Sequence, residues 1–337
     1  MWKKNSIIVF ILFWRVIGIN SQDLHYSQFY YNYHNLSPSN IGIFDGNDRV
    51  TLNYKNQWSS TPVPYNTISF LYDANRSLRN SKTSYGFGFG MDYDRAGTSK
   101  LNMAKFVFGG SITHVLNSMN RFTLGICPAI AQRRISSEGL RWGKQWNGDK
   151  YDPNISPNEN FQNSGDFFFD LNAGISYEFS LTKRTKILLS GGAYHLNRPN
   201  QSFYGVQLDQ VNLPVRFSSS AQLSIGLGTY LDLILAGNYQ AQEEYREIVG
   251  SGLIRFRFNR TPGSIFNILG GCNLRVDDAI IPTLGVEYKN WLVSGSYDIN
   301  TSFFKVTTDK KGGPEIAVQY VFAKVKKSGI YKKCPFN

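Results

Sequence analysis

One stretch of alternating side chains, residues 169–180, constrains the fold of this chain more than any other feature of its sequence. Every odd position from Phe169 to Phe179 is apolar, and every even position between them is polar or glycine. Because successive side chains of a β-strand point to opposite faces, this pattern predicts a strand with one apolar face. Its length is close to the roughly 9–11 residues with which a strand crosses a membrane, and exceeds the roughly 5–6 residues of a typical globular strand.

Further alternation along the chain predicts an all-β protein of about fourteen strands. The predicted strands begin near Arg49, Tyr65, Thr83, Leu101, Arg121, Phe167, Thr185, Val215, Leu231, Glu247, Ser264, Ile280, Trp291 and Glu315. Twelve or sixteen strands also fit, since strand boundaries are the weakest part of such a prediction. The mean hydropathy of −0.30 excludes a bundle of membrane-spanning helices, each of which needs about 20 mostly apolar residues.

The predicted connections alternate between short and long. The short ones are residues 117–120, 182–184, 228–230, 260–263 and 289–290, and the intervening ones include the long stretches 136–166, 196–214 and 301–314. Outer-membrane barrels have short periplasmic turns and longer extracellular loops. The sequence therefore predicts a transmembrane antiparallel β-barrel with both termini periplasmic, with a soluble two-sheet protein as the alternative. The connection at 74–82 does not fit, because it is longer than a turn.

The N-terminus has the layout of a secretory signal peptide over residues 1–21. Lys3 and Lys4 precede an apolar run at 7–14, and Ser21 offers a small residue for cleavage. We divide the remainder into an N-terminal segment at 22–48, a barrel at 49–324 and a basic periplasmic tail at 325–337. The N-terminal segment is rich in aromatic residues, so we expect it to be ordered, either inside the lumen or across the periplasmic mouth of the barrel.

The sequence offers no motif for catalysis, a metal or a cofactor, and we expect a protein that is not an enzyme. The four histidines lack zinc-ligand spacing, and the three cysteines are widely dispersed. The formal charge of +12 would fall to +9 on loss of the signal peptide. No nucleic-acid recognition motif accompanies this charge, so we expect lipopolysaccharide phosphates or a charged lumen to account for it, and no nucleic acid.

Several short motifs follow one another in a fixed order along the chain. Asp23, Ser27 and Gln28 belong to Q-D-L-H-Y-S-Q-F; Pro38 belongs to L-S-P-S-N-I-G; Tyr54, Asn56, Gln57 and Trp58 belong to Y-K-N-Q-W; Tyr297 and Asp298 belong to S-Y-D; and Glu315 belongs to G-G-P-E-I. This succession resembles the PorP/SprF family of type IX secretion system outer-membrane proteins of Bacteroidetes. Ser37 and Ser39 depart from the family pattern, which usually has Asn and Ala beside the proline.

The resemblance implies an outer-membrane component, without enzymatic activity or cofactors, that aids secretion or surface attachment of a cargo protein. The implied cargo is a large adhesin with a type B C-terminal sorting domain, of the kind used in gliding motility. Other implied partners are periplasmic ring components, peptidoglycan-linked proteins, and outer-membrane lipid and lipopolysaccharide. The alternative function is a general outer-membrane channel for small solutes.

Two groups of residues are candidate partner contacts. Trp142, Trp146 and Tyr151 lie in a long loop, where exposed aromatic residues often mark interfaces; the alternative is a loop folded over its own barrel. Lys326, Lys327, Lys332 and Lys333 lie in the tail and suit an acidic periplasmic partner, lipid headgroups or plain solvation. Within the barrel, we expect Asp298 and Glu315 to pair with Arg255 and Arg257.

Overall fold

A computed structural model describes residues 23–57, 65–77, 81–97, 101–135, 140–156, 165–201, 211–258, 265–302 and 309–322. Fourteen strands are found there: β1 Asp48–Gln57, β2 Tyr65–Ser77, β3 Thr83–Ala96, β4 Leu101–Val115, β5 Asn120–Arg134, β6 Gly165–Ser180, β7 Lys186–Tyr194, β8 Arg216–Leu227, β9 Leu231–Gln242, β10 Tyr245–Arg257, β11 Phe266–Arg275, β12 Ala279–Tyr288, β13 Trp291–Asn300 and β14 Lys311–Phe322. Each strand begins within four residues of its predicted start.

The strands form one closed antiparallel barrel in sequence order, and β1 pairs with β14 to complete it. The predicted fold class is thus confirmed, and closure leaves no unpaired sheet edge. Short helical turns cover Phe29–Tyr31, Tyr33–Leu36, Pro38–Asn40 and Gly143–Gln145. In the part of the chain that the structure describes, no helix has the length and apolar character needed to cross a membrane.

The prediction of a long connection at 74–82 was wrong. Strand β2 continues to Ser77, and its last residues, Asn75 and Arg76, pair with Gly86 and Tyr85 of β3. The last three residues of this strand, 75–77, are all polar, so they show no alternation of apolar and polar side chains. Arg76 forms an ion pair with Asp48 at 2.7 Å. The connection between β2 and β3 is therefore residues 78–82.

The barrel has two different ends. The short-turn end is where residues 78–82, 116–119, 181–185, 228–230, 258–265 and 289–290 join the strands; the long-loop end is where residues 58–64, 97–100, 135–164, 195–215, 243–244, 276–278 and 301–310 join them. Strand β1 begins and β14 ends at the short-turn end, where Asp48 pairs with Phe322.

The two faces of the wall have opposite polarity. On β13 every second residue is exposed, from Trp291 to Ile299, and the residues between them are buried. The exposed positions carry apolar side chains such as Val293, whereas Ser294 and Asp298 are buried and face the lumen. This is the pattern of a barrel whose outer face contacts lipid.

Residues 23–47, the described part of the N-terminal segment before β1, lie inside the lumen. The segment begins beside His195 at the long-loop end, and its last residue, Asn47, donates a backbone hydrogen bond to the Phe322 carbonyl at the short-turn end. Phe29, Tyr30 and Tyr31 pack against inward residues of β10, β13 and β14 to form the main apolar cluster. The segment therefore runs through the barrel from one end to the other.

Candidate functional site

The first fixed point of the N-terminal segment is a pair of backbone amides held by one carboxylate. Glu315 of β14 accepts hydrogen bonds from the backbone N–H groups of Ser27, at 2.7 Å, and Gln28, at 2.8 Å. The side-chain amide of Gln28 donates in return to the Glu315 carbonyl at 3.1 Å. All three residues are at most 1% exposed, so the charge-assisted bonds are shielded from water.

Charged side chains from three other strands complete this site, which we call the Ser27 clamp (Ser27, Gln28, Lys55, Arg275, Asp298 and Glu315). The Ser27 hydroxyl donates to Asp298 at 2.6 Å and accepts from Arg275 at 2.7 Å. Arg275 also pairs with Asp298 at 3.1 Å, and the Lys55 ammonium lies 3.7 Å from Asp298. Motif residues from opposite ends of the sequence thus meet at one buried site.

The predicted pairing of Asp298 and Glu315 with Arg255 and Arg257 was wrong. The two arginines end β10 at the short-turn end, whereas the two acids lie towards the long-loop end of β13 and β14. Both arginines instead face Asp232, at 3.6 and 3.5 Å. Sharing the lumen face was not enough, because strand direction sets the depth of each residue in the barrel.

A second fixed point holds Asp23, at the start of the described segment. Its carboxylate lies 3.1 Å from Arg216 Nε and 3.2 Å from His195 Nε2. The other ring nitrogen of His195 lies 3.0 Å from Asp170. His195 has a φ of 59°, and its backbone N–H donates to Asn172 at 3.0 Å, which holds the residue in this uncommon conformation.

The third fixed point is a row of small residues on the inner face of β3 to β8. Gly86, Ser111, Gly125, Gly174, Gly192 and Ser218 are successive register partners across these strands, and we call them the glycine row. A Cβ atom at Gly125 would lie 2.5 Å from Ser39 Cα, and one at Gly174 would lie 2.2 Å from Ser37 Oγ. The wall must therefore lack side chains here for the backbone of the N-terminal segment to fit.

Serine hydroxyls fasten the segment where it lies on the glycine row. Ser37 Oγ donates to the Gly191 carbonyl at 2.8 Å, and Ser39 Oγ shares a 2.6 Å hydrogen bond with Ser176. From the wall, Ser111 Oγ donates to the Ile41 carbonyl at 2.6 Å. Pro38, between the two serines, is buried and begins a helical turn. Ser37 and Ser39, which depart from the family pattern, thus make specific contacts in this chain.

Below the glycine row, Asp73 joins the segment to the start of the barrel. Its carboxylate accepts two hydrogen bonds from Arg49, at 2.8 and 2.6 Å, and one from the backbone N–H of Gly42, at 2.8 Å. Gly42 has a φ of 82°, and a Cβ there would lie 2.7 Å from Gly86 Cα, so only glycine fits. The Tyr33 ring stacks on the Arg49 guanidinium at 3.5 Å.

The N-terminal segment separates a chamber at the long-loop end of the lumen from a chamber at the short-turn end, and these two chambers share no lining residue. The long-loop chamber has a volume of about 580 Å³ and is bordered by Asp23 and His25. The short-turn chamber has a volume of about 860 Å³ and is bordered by Tyr30, Tyr31 and Tyr33. The segment thus lies between two spaces that an empty barrel would join.

The remaining motif residues occupy several positions. Tyr54 and Tyr297 lie on the outer face, 38% and 39% exposed, and belong to the lipid-facing surface. Asn56 donates to Asn66 on the neighbouring strand at 2.6 Å, and Gln57 lines the long-loop chamber. Trp58 lies outside the described residues. The family motifs therefore mix lumen contacts with outer-surface positions.

The aromatic residues predicted for partner contact lie on a folded part of the long loop. Trp146 is 59% exposed and forms an isolated β-bridge with Tyr151, whose ring lies 4.9 Å from the Arg141 guanidinium. Trp142, which is half-buried, precedes the helical turn Gly143–Gln145. The predicted signal peptide and the tail residues Lys326, Lys327, Lys332 and Lys333 lie outside the described residues.

Several lumen residues escaped sequence reasoning. Arg275, Asn273 and His195 contact the N-terminal segment directly, and their only sequence signal is a polar side chain at an inward position of a strand or at its end. The glycine row has no linear signal, because it exists only through strand register. Among the described residues, no group of three metal-ligating side chains is placed to hold a metal ion.

The fold is similar to solved barrels of low sequence identity. These include the toluene transporter TbuX from Ralstonia pickettii, with 12% identity and a TM-score of 0.49 over 85% of this chain and 92% of that chain. A FadL homologue from Pseudomonas aeruginosa has 8% identity and a TM-score of 0.48 over 85% of this chain and 93% of that chain.

Comparison with curated protein sequences found no match. A family model described as type IX secretion system membrane protein PorP/SprF matches residues 19–320, which is most of the chain. Together with the closed barrel and its apolar outer face, this match leads to one conclusion. The chain belongs to the PorP/SprF family of type IX secretion system membrane proteins and is an outer-membrane β-barrel.

Proposed function

We propose that this protein holds a secreted surface protein at the long-loop end of a closed barrel, and so aids its secretion or surface attachment. The observation that carries the proposal is the N-terminal segment, which is bonded to opposite walls of the lumen and separates the long-loop chamber from the short-turn chamber. A barrel closed in this way acts through its surfaces. The proposed cargo is a large adhesin with a type B C-terminal sorting domain, as used in gliding motility.

The buried charges of the barrel wall that hold the segment argue against the alternative, a general channel for small solutes. Opening the lumen would break the hydrogen bonds that the backbone N–H groups of Ser27 and Gln28 donate to Glu315 and the one that the Gly42 N–H donates to Asp73. Hydrogen bonds to charged groups contribute about 1.5–3 kcal/mol each, and carboxylates that lose them at buried sites are costly. The closed state is therefore the stable one in this proposal.

The long-loop end offers a surface suited to protein contact. Gln145 is buried beneath the loop; its side chain donates to the Ile155 carbonyl at 3.2 Å, and its carbonyl accepts from the backbone N–H of Asp152 at 2.8 Å. These bonds hold the exposed Trp146 on a folded support. Large aromatic side chains presented in this way are frequent energetic centres of interfaces.

The orientation in the proposal follows from loop length. Short turns of outer-membrane barrels face the periplasm, so the short-turn end would lie there and the long loops outside. Both ends of the barrel sequence, Asp48 and Phe322, would then face the periplasm. In this orientation, periplasmic ring components and peptidoglycan-linked proteins would meet the short-turn end, and lipopolysaccharide would surround the opposite rim.

Surface display in the native bacterium tests the proposal. A fluorescent protein fused to a type B C-terminal sorting domain would be followed by protease accessibility in strains with and without this gene. We expect display to fail without the gene, to return with the full chain, and to return poorly with a variant lacking residues 140–156. Normal display in the deletion strain would contradict the proposal, and loss of small-solute uptake with intact display would favour the channel.

A further inference from the structure

The short-turn chamber is strongly basic. Seven cationic and four acidic side chains line it, an excess of three positive charges. Arg49 pairs with Asp73, and Glu178 pairs with Arg121; neither partner lines the chamber. Leaving out this one cation and this one anion keeps the excess at three positive charges. The charge therefore belongs to the groups that face the chamber.

Three arginines share one buried carboxylate at the wall of this chamber. Asp232 is 1% exposed and lies 2.8 Å from Arg184 Nε, 3.6 Å from Arg255 Nη1 and 3.5 Å from Arg257 Nη1. The arginines are 25–35% exposed, so cations form the accessible layer and the anion lies beneath. Glu287 forms a further ion pair with Arg255 at 2.7 Å.

The lining also contains donors without acceptors. Arg255 Nε and the side-chain nitrogen of Gln222 are buried and have no hydrogen-bond partner among the described residues. Lys183, Lys186 and Lys289 border the same chamber, and in the described part of the chain none of them forms an ion pair. Such a surface offers hydrogen-bond donors and positive charge to a ligand rich in acceptors.

The neighbouring segments of this chain do not supply the missing negative charge. Strand β14 ends at Phe322, beside the chamber, and the sequence after it contains Lys324, Lys326, Lys327, Lys332 and Lys333 and no acidic residue. Residues 259–264, which follow β10, contain Arg260 and no acidic residue. These segments thus add positive charge beside the chamber, which favours a neutralising ligand from another molecule.

We propose that the short-turn chamber is a docking site for a carboxylate-rich polypeptide segment of a partner protein. Planar guanidinium groups such as those of Arg255 and Arg257 match carboxylates in geometry and charge. The tyrosines of the N-terminal segment form an aromatic floor on which apolar side chains of the partner can pack. A lipid headgroup fits less well, because the chamber lies within the ring of strands and acyl chains would have to leave the bilayer to reach it.

This inference goes beyond the proposed function, since it concerns the opposite end of the barrel from the surface proposed to hold cargo. Docking at the short-turn end can fail while surface display succeeds, and the reverse. The two proposals therefore have separate tests.

The test measures fluorescence anisotropy of a fluorescein-labelled oligo-glutamate peptide with the full-length protein in neutral detergent. We expect salt-sensitive binding that weakens about tenfold in the triple variant Lys183→Gln, Lys186→Gln, Lys289→Gln, because three unpaired charges are removed. These lysines form no ion pairs with the residues that the structure describes, so the barrel should fold, which circular dichroism checks.

A matched triple variant, Lys144→Gln, Lys150→Gln, Lys310→Gln, removes equal charge at the long-loop end and should bind the peptide like the wild type. Equal loss in both variants would overturn the proposal, as would equal binding of an oligo-glutamine peptide. Lysine dependence seen only with phosphatidylglycerol vesicles, and not with the peptide, would identify a lipid site and also overturn it.

Discussion

The two walls of the barrel hold the N-terminal segment by different physical means. The wall from β3 to β8 presents the glycine row, and the segment lies against it through backbone atoms and serine hydroxyls. The wall formed by β1 and β10 to β14 presents buried charges and an apolar cluster around Phe29 and Tyr31. At the glycine row the segment thus meets missing side chains, whereas at the other wall it meets charged or bulky ones. Away from the row, the β3–β8 wall also carries charged contacts, since Arg216 lies 3.1 Å from Asp23 and Asp92 lies 3.1 Å from His34.

The difference shows how one segment can be fixed in position and in register. The glycine row sets how closely the backbone of the segment can approach the wall, because the wall has little side-chain volume there. The Ser27 clamp binds two backbone amides with one carboxylate and also binds the Ser27 hydroxyl with Asp298 and Arg275, and a shift of the segment by a single residue would remove that hydroxyl. Adding atoms to the glycine row should therefore weaken the contact of the segment with the first wall. Removing charge from the Ser27 clamp should weaken its contact with the second.

The largest effect is expected from Gly125→Val, which adds atoms to the glycine row. The new Cβ would lie 2.5 Å from Ser39 backbone atoms, which cannot move as a flexible side chain can. We expect a loss of about 3 kcal/mol in the stability of the bound segment, at the upper end for overpacking. Hydrogen exchange should show lost protection of the amides in residues 36–42.

The matched control is Gly110→Val on the neighbouring strand, where an added Cβ meets no atom within 4 Å. This variant should keep wild-type exchange. Unchanged protection of residues 36–42 in Gly125→Val would show that the glycine row does not determine the fit of the segment.

The second effect is expected from Glu315→Gln, which keeps the shape of the clamp and removes its charge. The neutral amide can accept from one backbone N–H and directs its own N–H group at the other, and the nearby cations Lys55 and Arg275 lose a counter-charge. We expect a cost of about 2–3 kcal/mol. Exchange of the Ser27 and Gln28 amides should accelerate, whereas Glu244→Gln, in an exposed turn, should change nothing. Equal exchange rates of these amides in wild type and Glu315→Gln would show that the Ser27 clamp does not hold the segment.

A smaller effect is expected from Asp23→Asn at the edge of the long-loop chamber. Its partners keep other bonds, since His195 retains Asp170 and Arg216 retains a 2.8 Å hydrogen bond to Gln240. The loss should be about 1 kcal/mol and should appear as a modest fall in the thermal midpoint. Asp149→Asn, in the exposed long loop, serves as the control. A larger fall in the thermal midpoint than Glu315→Gln causes would show that the Asp23 contacts stabilise the segment more than the Ser27 clamp does.

The smallest effect on stability is expected from Trp146→Ala, which touches neither wall. The free energy of unfolding should stay within about 0.5 kcal/mol of wild type, as is usual for surface positions. Surface display of the sorting-domain fusion should nevertheless fall, because an exposed aromatic anchor is lost. Leu116→Ala, exposed at the short-turn end, should leave display intact. Full display with Trp146→Ala would exclude this residue from cargo contact.

The fold was more predictable from the sequence than the site. Side-chain alternation reports directly which residues face lipid, and so about fourteen strands followed from it, while the lengths of the connections favoured a barrel. The Ser27 clamp depends on Ser27 and Glu315, which are 288 positions apart, and the motifs named both without showing that they touch. Strand direction and register decide such contacts, which is why Arg255 and Arg257 were paired with the wrong acids and the glycine row was missed.

The most direct test of the central claim, that the N-terminal segment closes the lumen, is single-channel conductance in a planar lipid bilayer. The wild-type protein should show no stable open level, and deletion of residues 22–43 should produce one. Gly125→Val, which keeps the full chain, should open intermittently and guards against a deletion variant that fails to fold. A wild-type protein that conducts as freely as the deletion variant would contradict the account.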